Sequence, residues 1–252
     1  MNTSDKRVLS PYEKNHLRKY GISEEKALST QSPVEYLTNH VDFCNLDFYV
    51  DQDVLIPRIE TEELVDMAVK QAEVVFKMVN RDLNIIDIGT GSGAIAICVS
   101  KRLLELNIPF NFLATEVSKK ALEIAKKNAN NLVPNAPISF KETNLLDGID
   151  QKFDLIISNL PYIPAQRIDY LTQSVKDFEP HIALDGGNSG LVLIHKMIIQ
   201  AEKLVYKHTK ILLEVDYTHG YDDFNNFRKD WDIIVTPDSS EGVHFVELKI
   251  KE

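Results

Sequence analysis

The amino-acid sequence predicts an α/β protein with a doubly wound, mostly parallel sheet of seven strands and an antiparallel C-terminal edge. Three observations support this fold class. Short apolar runs alternate with helical patterns from residue 85 onward, and a glycine-rich turn follows the first of these runs. The last two apolar runs follow each other with no helical pattern between them, which indicates an antiparallel pair.

The chain before the sheet divides into two parts. Residues 1–40 are polar and weakly helical, with short helices expected at 24–28 and 33–37. Residues 41–57 form a connecting segment, in which the alternation over 43–56 predicts a hairpin with turns at Asn45 and at 51–53. We expect the remaining residues, 58–252, to form the sheet domain.

A long helix is expected to open the sheet domain. Thr61 is suited to be its N-cap, and Glu62 and Glu63 favour the first turn, where the helix dipole stabilises acidic side chains. Arg58 and Glu62 lie four residues apart, which predicts a local ion pair that anchors the hairpin to the sheet. The apolar positions at helical spacing are Leu64, Val65, Ala68, Ala72, Val75, Phe76 and Val79.

Strands and helices then alternate to the C-terminus. Ser118 is expected to cap the second helix of this series. Strands are predicted at 85–88, 112–115, 138–141, 154–158, 210–215, 231–236 and 242–250, and helices at 94–106, 119–130 and 190–206.

Composition limits the classes of function. The chain has 252 residues and a formal net charge of −10, so no overall positive field attracts nucleic acid or anionic membranes. Cys44 and Cys98 are far apart in sequence and have no His or Cys neighbour at metal-ligand spacing, so neither a disulfide framework nor a metal site is indicated. No apolar run approaches about 18 residues, so we expect a soluble, cytoplasmic protein, and we expect a monomer.

The glycine-rich turn predicts a cradle for a nucleoside ligand. Gly89 and Gly91 allow close approach of a ligand to the backbone, and a helix that starts near Ser92 directs free N–H groups over the turn. Glu116 follows Gly93 by 23 residues, at the end of the next strand, where a carboxylate accepts both ribose hydroxyls. A nicotinamide dinucleotide and S-adenosylmethionine both fit this half of the evidence.

A second motif, Asn159-Leu160-Pro161-Tyr162, follows a buried strand. Its amide, backbone carbonyls and aromatic ring are the groups that hold a flat NH₂ group, and ligands collect at this end of the strands in an open α/β sheet. The alternative is an ordinary strand exit, in which the Asn and the prolines form a turn.

Together these motifs resemble the class I, Rossmann-like S-adenosylmethionine-dependent methyltransferases, and within them the peptide chain release factor glutamine methyltransferases. Three stretches carry the likeness. Residues 53–62 are close to the family's V-L-I-P-R-P-E-T-E, residues 87–93 match its cofactor loop, and residues 159–164 match its N-P-P-Y-I. The resemblance covers roughly residues 33 to 250.

The resemblance implies methyl transfer from S-adenosylmethionine to a glutamine side chain in the Gly-Gly-Gln loop of a release factor, the expected protein partner. The Asn159 side-chain oxygen and the Leu160 carbonyl would accept the two N–H hydrogens of the substrate amide, and Tyr162 would form a flat wall. The resemblance implies three overlapping sets of site residues. The cofactor would contact Asp87, Gly89, Thr90, Gly91, Ser92, Gly93, Glu116, Leu145 and Asn159. The substrate would contact Asn159, Leu160, Pro161 and Tyr162, of which Asn159, Leu160 and Tyr162 would lie at the reaction centre.

Leu160 leaves the acceptor open, because the family has proline at this position. Asn-Leu-Pro-Tyr is also the form of the motif in ribosomal RNA adenine dimethyltransferases, so one alternative is an adenine amino-group methyltransferase acting on RNA or DNA. The negative charge and residues 57–62 argue against a nucleic-acid substrate. A non-catalytic cofactor-binding module is a second alternative, and a dehydrogenase is a poor third, because nothing supplies an acid or base for hydride transfer.

Overall fold

The computed structural model describes residues 7–251, so residues 1–6 of the expected N-terminal segment and residue 252 of the expected sheet domain lie outside the described residues. The helices are α1 Pro11–Lys19, α2 Glu24–Leu28, α3 Val34–Thr38, α4 Thr61–Val79, α5 Ala94–Glu105, α6 Lys119–Leu132, α7 Gln173–Lys176 and α8 Val192–Ala201. The strands are β1 His40–Phe43, β2 Leu46–Tyr49, β3 Leu83–Ile88, β4 Phe110–Glu116, β5 Ile138–Glu142, β6 Phe153–Ser158, β7 Val205–Asp216, β8 Trp231–Pro237 and β9 Val243–Ile250.

The large sheet has seven strands in the order β5-β4-β3-β6-β7-β9-β8. The first five of these pair in parallel, and β9 pairs antiparallel with both β7 and β8. This confirms the predicted fold class. The chain runs outward from β3 in one direction and returns to place β6 on its other side, so the strand order reverses between β3 and β6. In such sheets ligands bind where the strand order reverses.

Helices cover both faces of the sheet. Alternate residues of a strand point to opposite faces, so Ile85 packs with α4 and α5 whereas Ile86 packs with α8. Strand β6 is fully buried, as its continuous apolar run predicts. Within residues 7–251, no helix combines the length and the apolar character needed to cross a membrane.

The N-terminal segment contains one helix more than the sequence patterns predicted. Helix α1 begins with a capping box: the Ser10 side chain accepts from the Glu13 amide, and the Glu13 carboxylate accepts from the Ser10 amide. Arg7 donates to the carbonyls of three residues after or within α2, namely Ala27, Thr30 and Ser32. The segment thus packs into a small cluster of its own.

The hairpin and the start of α4 differ from the prediction. The two paired strands lie at 40–49 and not over 43–56, with Cys44 and Asn45 at positive φ in the turn between them. Helix α4 has Glu60 as its N-cap, so the expectation that Thr61 caps it is wrong by one residue. The Thr61 hydroxyl instead accepts a hydrogen bond from Asn159, and this bond connects the start of α4 to the segment after β6.

The fold brings the two cysteines together. Both are free thiols, and a hydrogen bond with Cys44, together with burial, raises the pKa of the Cys98 thiol. The contact links the hairpin turn to α5, the helix that follows the glycine-rich turn.

Candidate functional site

A cavity of about 320 Å³ lies at the carboxyl ends of β3, β4 and β6, where the strand order reverses. This volume is within the range of small-molecule sites, which is about 300 to 1,000 Å³. We call it the central cavity. Its wall includes Arg58, Thr61, Gly89, Thr90, Gly91, Ser92, Glu116, Leu145, Asn159, Leu160 and Pro161.

The glycine-rich turn forms the floor of the central cavity. Gly89 and Gly91 have φ of 75° and 55°, a left-handed conformation that favours glycine. The Gly89 and Thr90 amides both donate to the Thr115 carbonyl at 2.9 Å, which ties the turn to β4. A Cβ on Gly89 would lie 2.9 Å from Leu160 Cδ2, so the turn and the second motif are in direct contact.

Two residues of the predicted cofactor set lie beneath the turn and are absent from the cavity wall in the described structure. The Thr90 hydroxyl donates to the buried Asp87 carboxylate at 2.6 Å. Burial raises the pKa of Asp87 to about 7, and the hydrogen bond from Thr90 opposes this rise. A Cβ on Gly93 would lie 3.2 Å from Ala125 Cβ, so Gly93 allows α5 to pack closely on α6. Both residues support the turn from behind.

Glu116 lies at the end of β4 and in the wall of the central cavity. Its Oε1 accepts from the amides of Val117 and Ser118 at 2.8 and 2.9 Å, and its Oε2 accepts from the Gly91 amide at 3.0 Å. These three donors fix the carboxylate, and its remaining lone pairs are available to hydroxyl donors. A glycine cradle beside a fixed carboxylate fits an adenosine-containing ligand.

Leu145, for which the resemblance implies a place near the adenine, also lies in the wall of the central cavity. Its φ is 55°, a conformation that costs energy for a branched side chain. Leu145 is 6% exposed, so it presents an apolar surface held by the surrounding structure.

The second motif supplies hydrogen-bond acceptors. The Asn159 side chain donates through Nδ2 to Glu214 Oε1 at 2.9 Å and to Thr61 Oγ1 at 3.2 Å. Within residues 7–251, no group donates to Asn159 Oδ1 or to the Leu160 carbonyl. Because Asn159 and Leu160 both lie in the cavity wall, two acceptors on adjacent residues are available to a ligand with two N–H groups.

Tyr162 is placed differently from the prediction. In the described structure it is absent from the wall of the central cavity, although the neighbouring Leu160 and Pro161 lie in that wall. Its hydroxyl donates to Glu214 Oε1 at 3.1 Å. Burial and the neighbouring carboxylate of Glu214 raise the pKa of the Tyr162 hydroxyl well above its usual value. Tyr162 therefore donates to the same carboxylate oxygen as Asn159.

Glu214, on the neighbouring strand β7, was not predicted as a site residue. It is fully buried, and burial raises its pKa to about 7, while hydrogen bonds from Thr61, Tyr162 and Asn159 oppose the rise. The sequence signal was present but weak, since it is a carboxylate that follows the apolar pair Leu212-Leu213 near the end of a buried strand.

The predicted ion pair between Arg58 and Glu62 is wrong. Arg58 instead contacts the buried Glu179 at 2.6 Å, and Glu62 accepts from the Cys44 amide at 2.6 Å. Burial raises the pKa of Glu179, and the charge of Arg58 opposes this rise. The pair joins the segment before α4 to the segment after α7, and Arg58 and Pro180 both lie in the cavity wall. It thereby closes one side of the central cavity.

A tight backbone contact supports the second motif from below. The Gly186 amide donates to the Ile163 carbonyl at 2.9 Å, and the Ile163 amide donates to the Leu184 carbonyl at 3.2 Å. A Cβ on Gly186 would lie 2.7 Å from the Pro161 carbonyl oxygen, so only glycine allows this approach. The backbone of the motif is therefore held rigidly.

Comparison with solved structures shows that the fold is shared with methyltransferases. The hMettl16 catalytic domain in complex with MAT2A 3′UTR hairpin 6 aligns with a TM-score of 0.62 and 17% identity, over 81% of this chain and 75% of that chain. The ribosomal protein L11 methylase from Lactobacillus delbrueckii subsp. bulgaricus aligns with a TM-score of 0.54 and 18% identity, over 77% of this chain and 81% of that chain.

Sequence comparison narrows the family. Residues 65–221 match the model of the methyltransferase small domain. The release factor glutamine methyltransferase of Lactococcus lactis is 37% identical over 195 residues, which cover 77% of this chain and 68% of the relative. That of Koribacter versatilis is 35% identical over 215 residues, which cover 82% and 70%. With a methyltransferase fold, a glycine cradle and an Asn-x-Pro-Tyr motif at one cavity, the chain belongs to the release factor glutamine methyltransferase family.

Proposed function

We propose that this protein transfers a methyl group from S-adenosylmethionine to the side-chain amide nitrogen of a glutamine in a peptide chain release factor. The observation that carries the proposal is the pair of unused acceptors, Asn159 Oδ1 and the Leu160 carbonyl, in the wall of a cavity built on a glycine cradle. The matched relatives carry the same activity in their names.

The cofactor would be held by the floor and one wall of the central cavity. The backbone of 89–92 would hold the methionine end, Glu116 would accept the ribose hydroxyls, and Leu145 would contact the adenine. Bound there, S-adenosylmethionine supplies a methyl group on a positively charged sulfur, which is an electrophile without further activation. Asp87 and Gly93 would contribute by supporting the turn.

The substrate amide would be held by the second motif. An amide nitrogen is a poor nucleophile because its lone pair is delocalised into the carbonyl group. Acceptance of both N–H hydrogens by Asn159 and Leu160 would orient this nitrogen and stabilise the positive charge that it gains as its bond to the methyl carbon forms and the carbon–sulfur bond breaks. The nitrogen would then release one of these two hydrogens as a proton to solvent, which leaves a neutral methylated amide. Pro161 fixes the backbone direction after Leu160.

The proposed acceptor makes a translation factor the expected partner and the cytoplasm the expected location. We propose a monomer that recognises a folded protein. A nucleic-acid acceptor is disfavoured by the net charge of −10.

The test uses the purified protein with S-adenosylmethionine labelled in its methyl group. The acceptors are a release factor, its variant with the Gly-Gly-Gln glutamine replaced by alanine, and structured RNA. We expect label on the release factor alone. Label on both release factors, or on neither, would overturn the proposal, and label on RNA would support the adenine alternative.

Two variants connect the activity to the motif. Asn159→Ala is expected to reduce transfer by about 100-fold, because one acceptor of the developing charge is lost. Asn111→Ala, an exposed asparagine at the start of β4, is the matched control and leaves the rate unchanged. Cofactor binding without transfer to any acceptor would favour the non-catalytic module.

A further inference from the structure

We propose that Glu214 is a positioning residue whose negative charge decides which end of the Asn159 amide faces the substrate. The inference rests on the proposed function and extends it to a residue outside the two recognised motifs. It is carried by the hydrogen bonds of one buried carboxylate.

The contacts converge on a single oxygen. Glu214 Oε1 accepts from Asn159 Nδ2 at 2.9 Å and from the Tyr162 hydroxyl at 3.1 Å. Glu214 is fully buried in β7, next to β6, and Asn159 directly follows β6. The carboxylate is absent from the wall of the central cavity in the described structure, whereas Asn159, which donates to it, lies in that wall, so Glu214 acts on the acceptor pair through Asn159.

An ionised carboxylate accepts hydrogen bonds and cannot donate them. It therefore binds the NH₂ end of Asn159 and leaves Oδ1 for the cavity. The Thr61 hydroxyl, which also contacts Asn159 Nδ2, can either donate or accept, so it does not select an orientation. A protonated or amide side chain at 214 offers a donor as well, and the reversed Asn159, with its NH₂ toward the substrate, becomes available.

The surroundings of Glu214 contain few charges. Tyr162 faces it from the second motif, and Glu60 acts on it from the start of α4, while its partner across β9 is the apolar Phe245. Arg58 and Asp216 act on Tyr162 with opposite signs. Burial raises the pKa of Glu214 to about 7, and its hydrogen bonds oppose the rise. The charge that selects the acceptor orientation of Asn159 is therefore present above about pH 7, and the selection weakens as the pH falls below it.

The direct test is the Asn159 side-chain amide signal in a protein labelled with ¹⁵N-asparagine, assigned by its absence in Asn159→Ala. In the native protein we expect this signal to move with pH, with a midpoint near 7. In Glu214→Gln we expect no such transition. This measurement needs no acceptor, so it stands or falls separately from the proposed function.

The kinetic test follows the rate of methyl transfer against pH. We expect the rate of the native protein to rise with pH through the same midpoint. In Glu214→Gln we expect kcat to fall by about 10-fold or more and the pH profile to show no inflection at this midpoint. The affinity of this variant for S-adenosylhomocysteine is expected to change less than about twofold. Asp154→Asn is the matched control, because it makes the same change in another fully buried carboxylate, at the opposite end of the strands. It leaves the inflection in place.

A second variant, Tyr162→Phe, tests the inference independently if Glu214→Gln does not fold. Tyr162→Phe removes one donor to Glu214 and leaves the bond from Asn159, so we expect the midpoint of the amide signal to move to higher pH. An unchanged midpoint in Tyr162→Phe, or a native pH transition in Glu214→Gln, would overturn the inference.

Discussion

Leu160 fills space over the glycine-rich turn as well as presenting its carbonyl. Its side chain is 5% exposed and packs against Gly89, where a Cβ would lie 2.9 Å away. The carbonyl, which the proposed chemistry uses, is common to leucine and to the proline found at this position in the family. The identity of residue 160 therefore affects packing more than the acceptor pair.

Leu160→Pro tests whether the side chain of residue 160 affects packing while its carbonyl alone serves the proposed transfer. We expect the free energy of unfolding to fall by about 1 to 3 kcal/mol, because buried side-chain contacts with Gly89 are lost, and the transfer rate to change by less than about threefold. Urea unfolding and steady-state kinetics measure the two effects. Leu160→Ala is the control, since it removes the same contacts without the proline ring. A rate loss of about tenfold in the proline variant alone would contradict the expectation.

Glu116 provides a second test at the scale of single residues. Glu116→Gln removes the charge that three backbone amides and the ribose hydroxyls share, so we expect affinity for S-adenosylhomocysteine to fall by about tenfold. Calorimetry measures the affinity. Glu142→Gln is the matched control, because Glu142 pairs with Glu116 across β4 and β5 but is exposed and absent from the described cavity wall. Equal losses in both variants would show a general effect of charge.

The sequence predicted the residues of the site that belong to local motifs and missed those that arrive from other strands. Asn159, Leu160 and Glu116 line the cavity because each follows a strand whose position the alternation predicts. Glu214 and the Arg58 to Glu179 pair depend on contacts between residues 55 and 121 positions apart in the sequence. Neither spacing nor periodicity encodes such distances, so the local alternative for Arg58, an i,i+4 pair, was favoured wrongly.

Secondary-structure elements were predictable to different degrees. Strands β3 and β6 carry nearly continuous apolar runs because both of their faces are covered, whereas the outer strands β5 and β8 alternate with exposed residues; all seven strands of the sheet were predicted. Helix α1 was missed because its apolar face is small, although Ser10, Pro11 and Glu13 form a recognisable N-terminal signature. The hairpin was placed too late because its alternation continues into a loop that is fixed by other contacts.

Arg7 is expected to hold the N-terminal helices together as a unit. Arg7→Ala removes three hydrogen bonds to carbonyls and an ion pair with Glu13, so we expect faster amide hydrogen exchange over residues 8–38. The free energy of the main unfolding transition is expected to change by less than about 1 kcal/mol, since the sheet has its own core. Arg18→Ala, at an exposed position on α1, is the control. Exchange that rises across β3 to β7 as well would contradict the assignment of Arg7 to this segment.

At the scale of the whole molecule, two buried carboxylates give the fold an unusual pH dependence. The pKa values of Asp87 and Glu214 are both raised to about 7 by burial. A carboxyl group with a raised pKa binds its proton more tightly in the folded state, so its contribution to stability is full below the unfolded pKa and is lost as the pH rises toward 7. The ionised form of Glu214, which the proposed orientation of Asn159 requires, is therefore the less stable one.

Asp87→Asn is expected to reduce this dependence. In the absence of cofactor, we expect the free energy of unfolding to fall between pH 5 and pH 8.5, and to fall by about 1 to 3 kcal/mol more in the native protein than in the variant. Urea unfolding at several pH values measures the difference. Glu142→Gln makes the same change of net charge at an exposed site and corrects for general repulsion in a chain of charge −10. Identical curves for the two variants would contradict the prediction.

The order in which the chain is synthesised determines when the contact between Asn159 and Glu214 can form. Domains form from the N-terminus onward as a chain leaves the ribosome. The glycine-rich turn and Asn159 emerge well before β7, which carries Glu214 and pairs with β6. A nascent chain that ends before residue 205 thus has both recognised motifs but lacks the strand that orients the second, so the site is assembled only after translation has passed residue 214.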